Sequence, residues 1–140
     1  MSYVDTSVLV AYYCPEPLSP SAQSSLARIG EPVVSPLVEV ELYSAVAAKV
    51  RARDLSPSSG GRILGLFSRD LADGSYRVVP IEAKEYSLAR DWIARFSTPL
   101  RTLDALHLAT AFSHDLTLLT ADKRLAQSAR RLGVKSRLIS

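Results

Sequence analysis

The chain has 140 residues, of which 47% are hydrophobic, and a formal net charge of +3 at pH 7. This length and composition predict one domain, residues 1–140, and exclude a disordered chain. The single cysteine, Cys14, excludes an internal disulfide and a cysteine-based zinc site. No apolar stretch is long enough to span a bilayer and no signal-peptide pattern opens the chain, so we expect a cytoplasmic protein with no membrane partner.

Short apolar runs alternate with helical patterns in the first half of the chain. They predict a strand at Tyr3–Val4, an apolar helix from Ser7 to Tyr13, a helix from Ser21 to Ile29 closed by Gly30, a strand at Pro32–Ser35 and a long helix from Pro36 to about Arg53. Asp5, Thr6 or Ser7 can cap the first helix. The segment Ser56–Gly61 is interpreted as a linker or a helix entrance, and it lacks the pattern of a nucleotide-binding loop.

The same alternation continues in the second half. It predicts a helix from about Arg62 to Leu71, an edge strand at Tyr76–Pro80, helices from Ile81 to Phe96 and from Leu103 to about Ser113, a strand at Leu116–Thr120, a helix ending at Leu132 and a last strand from Val134 to Ile139. Thr102 and Asp122 can cap the helices that follow them. Because no connection resembles a hairpin, we predict an α/β fold with a parallel sheet covered by helices on both faces.

Two carboxylates follow strands whose carboxyl ends should meet. Right-handed crossovers would leave Asp5 and the segment Thr120–Asp122 at one edge of the sheet, where open α/β sheets bind ligands. Each acid has an ordinary alternative, because Asp5 and Asp122 can serve only as helix caps. Asp104 lies in the first turn of its helix and can serve only the helix dipole.

Glu41 is harder to explain as a structural residue. At about 100° per residue, Glu41 falls near the centre of an apolar arc, whereas Glu39 points to solvent. The arc consists of Leu37, Val38, Leu42, Ala45, Ala48 and Ala52. A charge there is costly without a partner, and no lysine or arginine shares this face. A bound cation shared with Asp5 would supply that partner.

Carboxylates gathered in one pocket would raise one another's pKa, and a divalent cation would relieve the repulsion. All-oxygen ligands favour Mg²⁺ or Mn²⁺, which can activate water and stabilise a phosphodiester under attack. With four acids in the pocket, the rest of the chain would carry 17 basic and ten acidic residues. Such an excess of positive charge suits a polyanionic substrate. Arg101 could meet a phosphate, although a solvated arginine is the simpler interpretation. His107 is interpreted as a structural residue hydrogen-bonded in a buried helix, and not as a base.

Four segments, taken in this order, resemble the PIN-domain nucleases and, within them, the VapC-type toxins of toxin–antitoxin pairs. The segments are Tyr3-Val4-Asp5-Thr6-Ser7, Glu41-Leu42, Leu103-Asp104-Ala105-Leu106-His107-Leu108-Ala109 and Leu119-Thr120-Ala121-Asp122-Lys123-Arg124-Leu125. The resemblance implies a doubly wound parallel sheet and an acidic pocket that uses Mg²⁺ or Mn²⁺. It implies that Asp5, Glu41, Asp104 and Asp122 are the catalytic and metal-binding residues. Thr6 or Ser7, together with Thr120, would be accessory hydroxyls.

For this chain, the resemblance implies an endoribonuclease that acts as the toxin of a type II toxin–antitoxin pair. Its implied partners are an RNA substrate, a VapB-type antitoxin and a second copy of the chain. Two other functions stay open. A phosphoaspartyl receiver or phosphatase would use Asp5 as acceptor, but the additional acids that those proteins require are missing. A non-catalytic PIN-fold binding module would have no need to keep all four acids.

Overall fold

The computed structural model describes residues 1–140, in which five strands alternate with seven helices. The elements are β1 (Ser2–Val4), α1 (Thr6–Tyr13), α2 (Ser19–Arg28), β2 (Pro32–Val34), α3 (Pro36–Arg51), α4 (Pro57–Ala72), β3 (Arg77–Val78), α5 (Ala83–Ala94), α6 (Thr102–Ser113), β4 (Thr117–Thr120), α7 (Lys123–Arg131) and β5 (Ser136–Leu138). All strands pair in parallel, in the order β3-β2-β1-β4-β5. The predicted α/β fold, a doubly wound parallel sheet flanked by helices, is confirmed. The strand that ends before Pro80 lies at an edge, as predicted.

The sheet grows outward from β1 in both directions. The chain adds β2 and β3 on one side of β1, and then β4 and β5 on the other. The strand order therefore reverses between β1 and β4, and such a switch point forms a crevice at the carboxyl ends of the strands. Val4 pairs with Leu119, and the Asp5 amide donates to the Leu119 carbonyl at 2.9 Å. This register places Asp5 beside Thr120 at the crevice.

The helix α6 is buried around most of its circumference. Every residue from Ala105 to Ala111 is buried, as its apolar composition predicts. Polar side chains on such a helix must find partners inside the fold, which applies above all to His107. None of the helices has the length and apolar character needed to cross a membrane.

The helix α4 begins earlier than predicted. It starts at Pro57, so Gly60 and Gly61 lie inside the helix and not in a linker. The Ser56 hydroxyl caps it by accepting from the Ser59 amide at 3.0 Å, and proline is well suited to the first helical position. Gly60 is buried against α3, where a Cβ atom would lie 2.8 Å from a methyl group of Val50. This close approach explains why a glycine occupies this position inside the helix.

Three other local predictions were wrong. The buried face of α3 is formed by Val38, Leu42 and Val46, whereas Ala48 and Ala52 of the predicted arc are exposed. Thr102 is the first residue of α6 and not its cap, because Arg101 occupies the N-cap position without a side-chain hydrogen bond. Gly30 follows α2 without a positive φ, unlike Gly133 after α7, whose φ is 75°.

The two adjacent glycines of α4 provide a test of the α3–α4 packing. Gly61→Ala should raise the free energy of unfolding by about 1 kcal/mol, because alanine favours helix and a Cβ at Gly61 meets no atom within 4 Å. Gly60→Ala should instead lower the free energy of unfolding, because its Cβ would press against Val50 and overpacking typically costs about 1–3 kcal/mol. Urea unfolding of both variants measures the difference. Equal stabilisation by the two alanines would contradict the packing described here.

Candidate active site

Asp5 lies at the carboxyl end of β1, where two hydroxyl groups orient its side chain. It occupies the N-cap position of α1, yet its carboxylate does not cap the helix. Its Oδ2 instead accepts from Ser7 Oγ at 2.6 Å and from Thr120 Oγ1 at 2.9 Å. The same hydroxyls accept the amides of Ala121 and Asp122. Ser7 and Thr120 thus join the end of β1 to the end of β4 and leave Asp5 Oδ1 free of hydrogen bonds.

Glu41 reaches the same site from α3. Its Oε1 accepts from Thr6 Oγ1 at 2.6 Å and from Nε2 of His107. Burial favours the neutral acid, but the hydrogen bonds and the charge of His107 outweigh burial and lower the pKa of Glu41. The sequence suggested a bound cation as the partner of this charge, whereas the fold itself supplies His107. Glu39 and Glu41 are both partly buried, so the predicted contrast between a solvent-facing Glu39 and a buried Glu41 was wrong in its burial, although Glu39 takes part in none of these hydrogen bonds.

His107 is the residue that sequence reasoning underestimated. It is a buried, hydrogen-bonded residue, as predicted, but its Nε2 faces the acids and lies 4.0 Å from Asp5 Oδ1. Its Nδ1 lies 2.7 Å from the Tyr3 hydroxyl, which lies 2.8 Å from Ser35 Oγ. Burial opposes a charge on His107, but Glu41 and the other nearby acids raise its pKa.

The sequence did contain signals that His107 and Tyr3 belong to the site. His107 follows Asp104 by three positions, so the two share one face of α6. Tyr3 precedes Asp5 by two positions on β1, so their side chains point to the same face of the sheet. Burial raises the pKa of Tyr3 and keeps its hydroxyl neutral. A neutral hydroxyl can hold the imidazole of His107 in place from the side opposite the acids.

Asp104 and Asp122 complete the acidic cluster. Asp104 lies in the first turn of α6 with 32% of its side chain exposed, and its Oδ2 is 4.0 Å from Arg101 Nε. Burial and the charges of Asp122 and Asp5 raise the pKa of Asp104 against the opposing effect of Arg101. Asp122 caps α7 through Oδ1, which accepts from the amides of Arg124 and Leu125. One oxygen of Asp122 therefore serves the fold and the other is available to the site.

Two clefts adjoin these residues and meet at Asp104. A narrow one of about 30 Å³ is lined by Pro99, Leu100, Arg101, Asp104, Asp122, Arg124, Leu125 and Ser128. A wider one of about 420 Å³ is lined by Glu41, Arg101, Thr102, Leu103 and Asp104. Glu41, Asp104 and Asp122 thus line clefts that are open to a ligand, whereas Asp5 is buried beside His107 and lines neither cleft. No three acidic, histidine or cysteine side chains are arranged so that they could hold a metal ion by themselves.

The PIN domain family model matches residues 2–131. The chain belongs to the PIN domain family. The predicted resemblance is confirmed at this level, whereas the individual roles of the site residues stay predictions. Sequence comparison with curated proteins gives no significant match.

Solved structures of the same fold include several toxin–antitoxin proteins. The chain superposes on Mycobacterium tuberculosis VapC20, described as a Sarcin-Ricin loop cleaving toxin, with TM-score 0.73, 17% identity, and coverage of 91% of this chain and 95% of that one. It superposes on FitAB bound to a DNA fragment with TM-score 0.77 and 19% identity, covering 99% of this chain and 94% of that one. It superposes on VapBC2 from Rickettsia felis, bound to promoter DNA, with TM-score 0.72 and 18% identity, covering 100% of both chains. Because the sequence identities are this low, the superpositions establish a common fold and nothing more.

Neutralising Asp104 should separate a shared acidic site from a purely structural role. A carboxyl group whose pKa is raised by folding destabilises the folded state when it ionises, so at pH 7 and without metal Asp104→Asn should be at least as stable as the parent. The variant should also lose most of the stabilisation that added Mg²⁺ gives the parent, because an ion that binds only the folded state stabilises it by mass action. Thermal melts with Mg²⁺ and with chelator, at fixed ionic strength, measure both effects.

If Asp104 serves only the helix dipole, the outcome reverses. Removing the charge should then cost about 0.3–1 kcal/mol and leave the response to Mg²⁺ unchanged. A destabilised variant with a full Mg²⁺ shift would remove Asp104 from the site.

Proposed function

We propose that this protein is a metal-dependent endoribonuclease that acts as the toxin of a type II toxin–antitoxin pair. The observation that carries the proposal is the grouping of Asp5, Glu41 and Asp104 around His107, with Asp122 beside Asp104, near the switch point between β1 and β4. Family membership supports it, because the acids occupy the four segments in which this chain resembles PIN-domain nucleases. The VapC20 structure has the same fold and is described as a toxin that cleaves the Sarcin-Ricin loop.

The chemistry of the donors fits Mg²⁺, with Mn²⁺ as a substitute. Asp5 and Asp122 each use only one carboxylate oxygen in hydrogen bonds, and burial together with the charges of Asp122 and Asp5 raises the pKa of Asp104. Mg²⁺ in proteins typically keeps several waters and takes one or two carboxylates, which suits a cluster without three converging ligands. When bound, such an ion would lower the pKa of a water molecule and stabilise charge on the phosphodiester.

The remaining roles belong to the protein's own side chains. Ser7 and Thr120 fix the direction of Asp5 through its Oδ2, and its free oxygen, Oδ1, lies 4.0 Å from His107 Nε2. Thr6 and His107 hold Glu41, whose lowered pKa keeps it ionised at neutral pH. A carboxylate held in this way can orient an attacking water and accept its proton.

The solved structures of the same fold also suggest the partners of this protein. FitAB and the Rickettsia felis VapBC2 are complexes bound to DNA fragments, and both contain a chain with this fold. We propose a VapB-type antitoxin as the cognate partner, a homodimer as the assembly and the cytoplasm as the location. The phosphoaspartyl alternative is not favoured, because Asp5 is buried and its Oδ2 already accepts two hydrogen bonds.

Cleavage of single-stranded RNA tests the proposal, with Glu39 and Glu41 as a matched pair. The parent protein should cut RNA with Mg²⁺ or Mn²⁺ and stop when the metal is chelated. Glu41→Gln should lose at least about 100-fold in rate, in the range typical for a lost general base. Glu39→Gln should keep most of the activity, because Glu39 joins none of the hydrogen bonds around Glu41. Gel analysis of end-labelled RNA gives the rates.

Two results would count against this proposal. Cleavage that persists in chelator would reject the metal-dependent mechanism. An inactive Glu39→Gln together with an active Glu41→Gln would show that the acidic position belongs to Glu39 and not to Glu41.

A further inference from the structure

We propose that Arg101 and Arg124 form a binding site for backbone phosphates of the RNA strand, on the Asp104–Asp122 side of the acidic cluster. The identity of the strand rests on the proposed function. The phosphate site itself rests on where the two arginines lie, and its occupation can be measured without any cleavage.

Arg101 and Arg124 line the same clefts as Glu41, Asp104 and Asp122. Arg101 lines both the narrow and the wide cleft, and Arg124 lines the narrow one together with Asp104 and Asp122. A strand that places a phosphodiester at the acids must therefore pass next to these guanidinium groups. Leu103, 45% exposed, lines the wide cleft and offers an apolar contact to a base or a sugar.

Both guanidinium groups are available to a ligand. The Arg101 side chain is 88% exposed, and its nearest acid, Asp104, lies 4.0 Å away, at the limit of an ion pair. Arg124 is exposed, and its hydrogen bond to Asp122 uses the backbone amide and not the guanidinium. Two other basic residues are engaged elsewhere, because Lys49 pairs with Glu16 at 2.9 Å and Arg131 donates to the Ser97 carbonyl.

Electrostatics explains why a site of this kind is needed. The acids that surround a catalytic cation repel the phosphates on either side of the scissile bond. A cation at the rim offsets that repulsion, and the planar fork of arginine matches the oxygens of a phosphate. Arg101 already opposes the rise in the pKa of Asp104, so its charge acts on the cluster. The two arginines would then hold the strand while the acids act on one bond.

The salt dependence of RNA binding tests this site directly. Binding of a labelled single-stranded RNA is followed by fluorescence anisotropy in chelator, so that no strand is cut. The comparison is between the parent, the double variant Arg101→Gln/Arg124→Gln and the control Arg62→Gln/Arg69→Gln. The control removes two exposed arginines of α4 that line neither cleft, so its net charge matches that of the test variant.

Loss of two phosphate contacts should reduce the slope of log affinity against log salt by about 1.4. Between about 50 mM and 200 mM salt, the parent should therefore lose about sevenfold more affinity than the double variant. The control should keep the slope of the parent. With cleavable RNA and metal, the double variant should raise KM and leave kcat nearly unchanged.

Three outcomes would overturn the phosphate site. They are equal slopes for the parent and the double variant, an equal change in the control, and undetectable RNA binding by the parent at low salt. The failure of the proposed function looks different. In that case no RNA is cut with any metal, although the difference in slope persists. Cleavage with unchanged slopes would instead reject the phosphate site alone.

Discussion

One buried imidazole joins the elements that carry the acidic residues. His107 projects from α6, contacts Glu41 of α3 and the Tyr3 hydroxyl of β1, and lies 4.0 Å from Asp5. It is the one buried basic side chain, and three carboxylates, those of Glu41, Asp5 and Asp104, act on it, so its charge offsets only part of theirs. Burial, and after it the charges of Asp122 and Asp5, raise the pKa of Asp104. This local shortage of positive charge is the reason to expect a cation. Two exposed arginines, Arg101 and Arg124, line the adjoining clefts.

Several residues serve the fold and the site together. Asp122 caps α7 with one oxygen and adds charge to the cluster. Ser7 and Thr120 bond the two central strand ends to each other while they orient Asp5. Removing one of these side chains would therefore disturb both stability and the site. The capping and catalytic interpretations of such acids are compatible, which a sequence alone does not reveal.

Much of the fold could be predicted from the sequence because it depends on local pattern. The alternation of strands and helices, the edge strand before Pro80 and the cap at Asp122 follow from periodicity and turn chemistry. Gly60 could not be assigned in this way, because a glycine that breaks a helix and one that admits a neighbouring helix have the same sequence pattern. The phase of α3 was predicted only in part, since exposed alanines look apolar in sequence.

The site was predictable to the extent that topology determines it. Asp5 and Thr120 meet because parallel strands end at one edge of the sheet. The partnership of Glu41 with His107 spans 66 residues and depends on how α3 and α6 pack, which no local pattern encodes. For the same reason the proximity of Arg124 to Arg101 and Asp104 became visible only in three dimensions.

The central claim is that a divalent cation binds within the cluster around His107, and NMR with Mn²⁺ tests it most directly. The chain has two histidines, and His114 lies seven residues further along α6, about 10 Å away along the helix axis. Paramagnetic broadening falls steeply with distance, so substoichiometric Mn²⁺ should broaden the imidazole signals of His107 well before those of His114. Asp104→Asn should weaken this selective effect. Equal broadening of both histidines, or none at His107, would contradict the account.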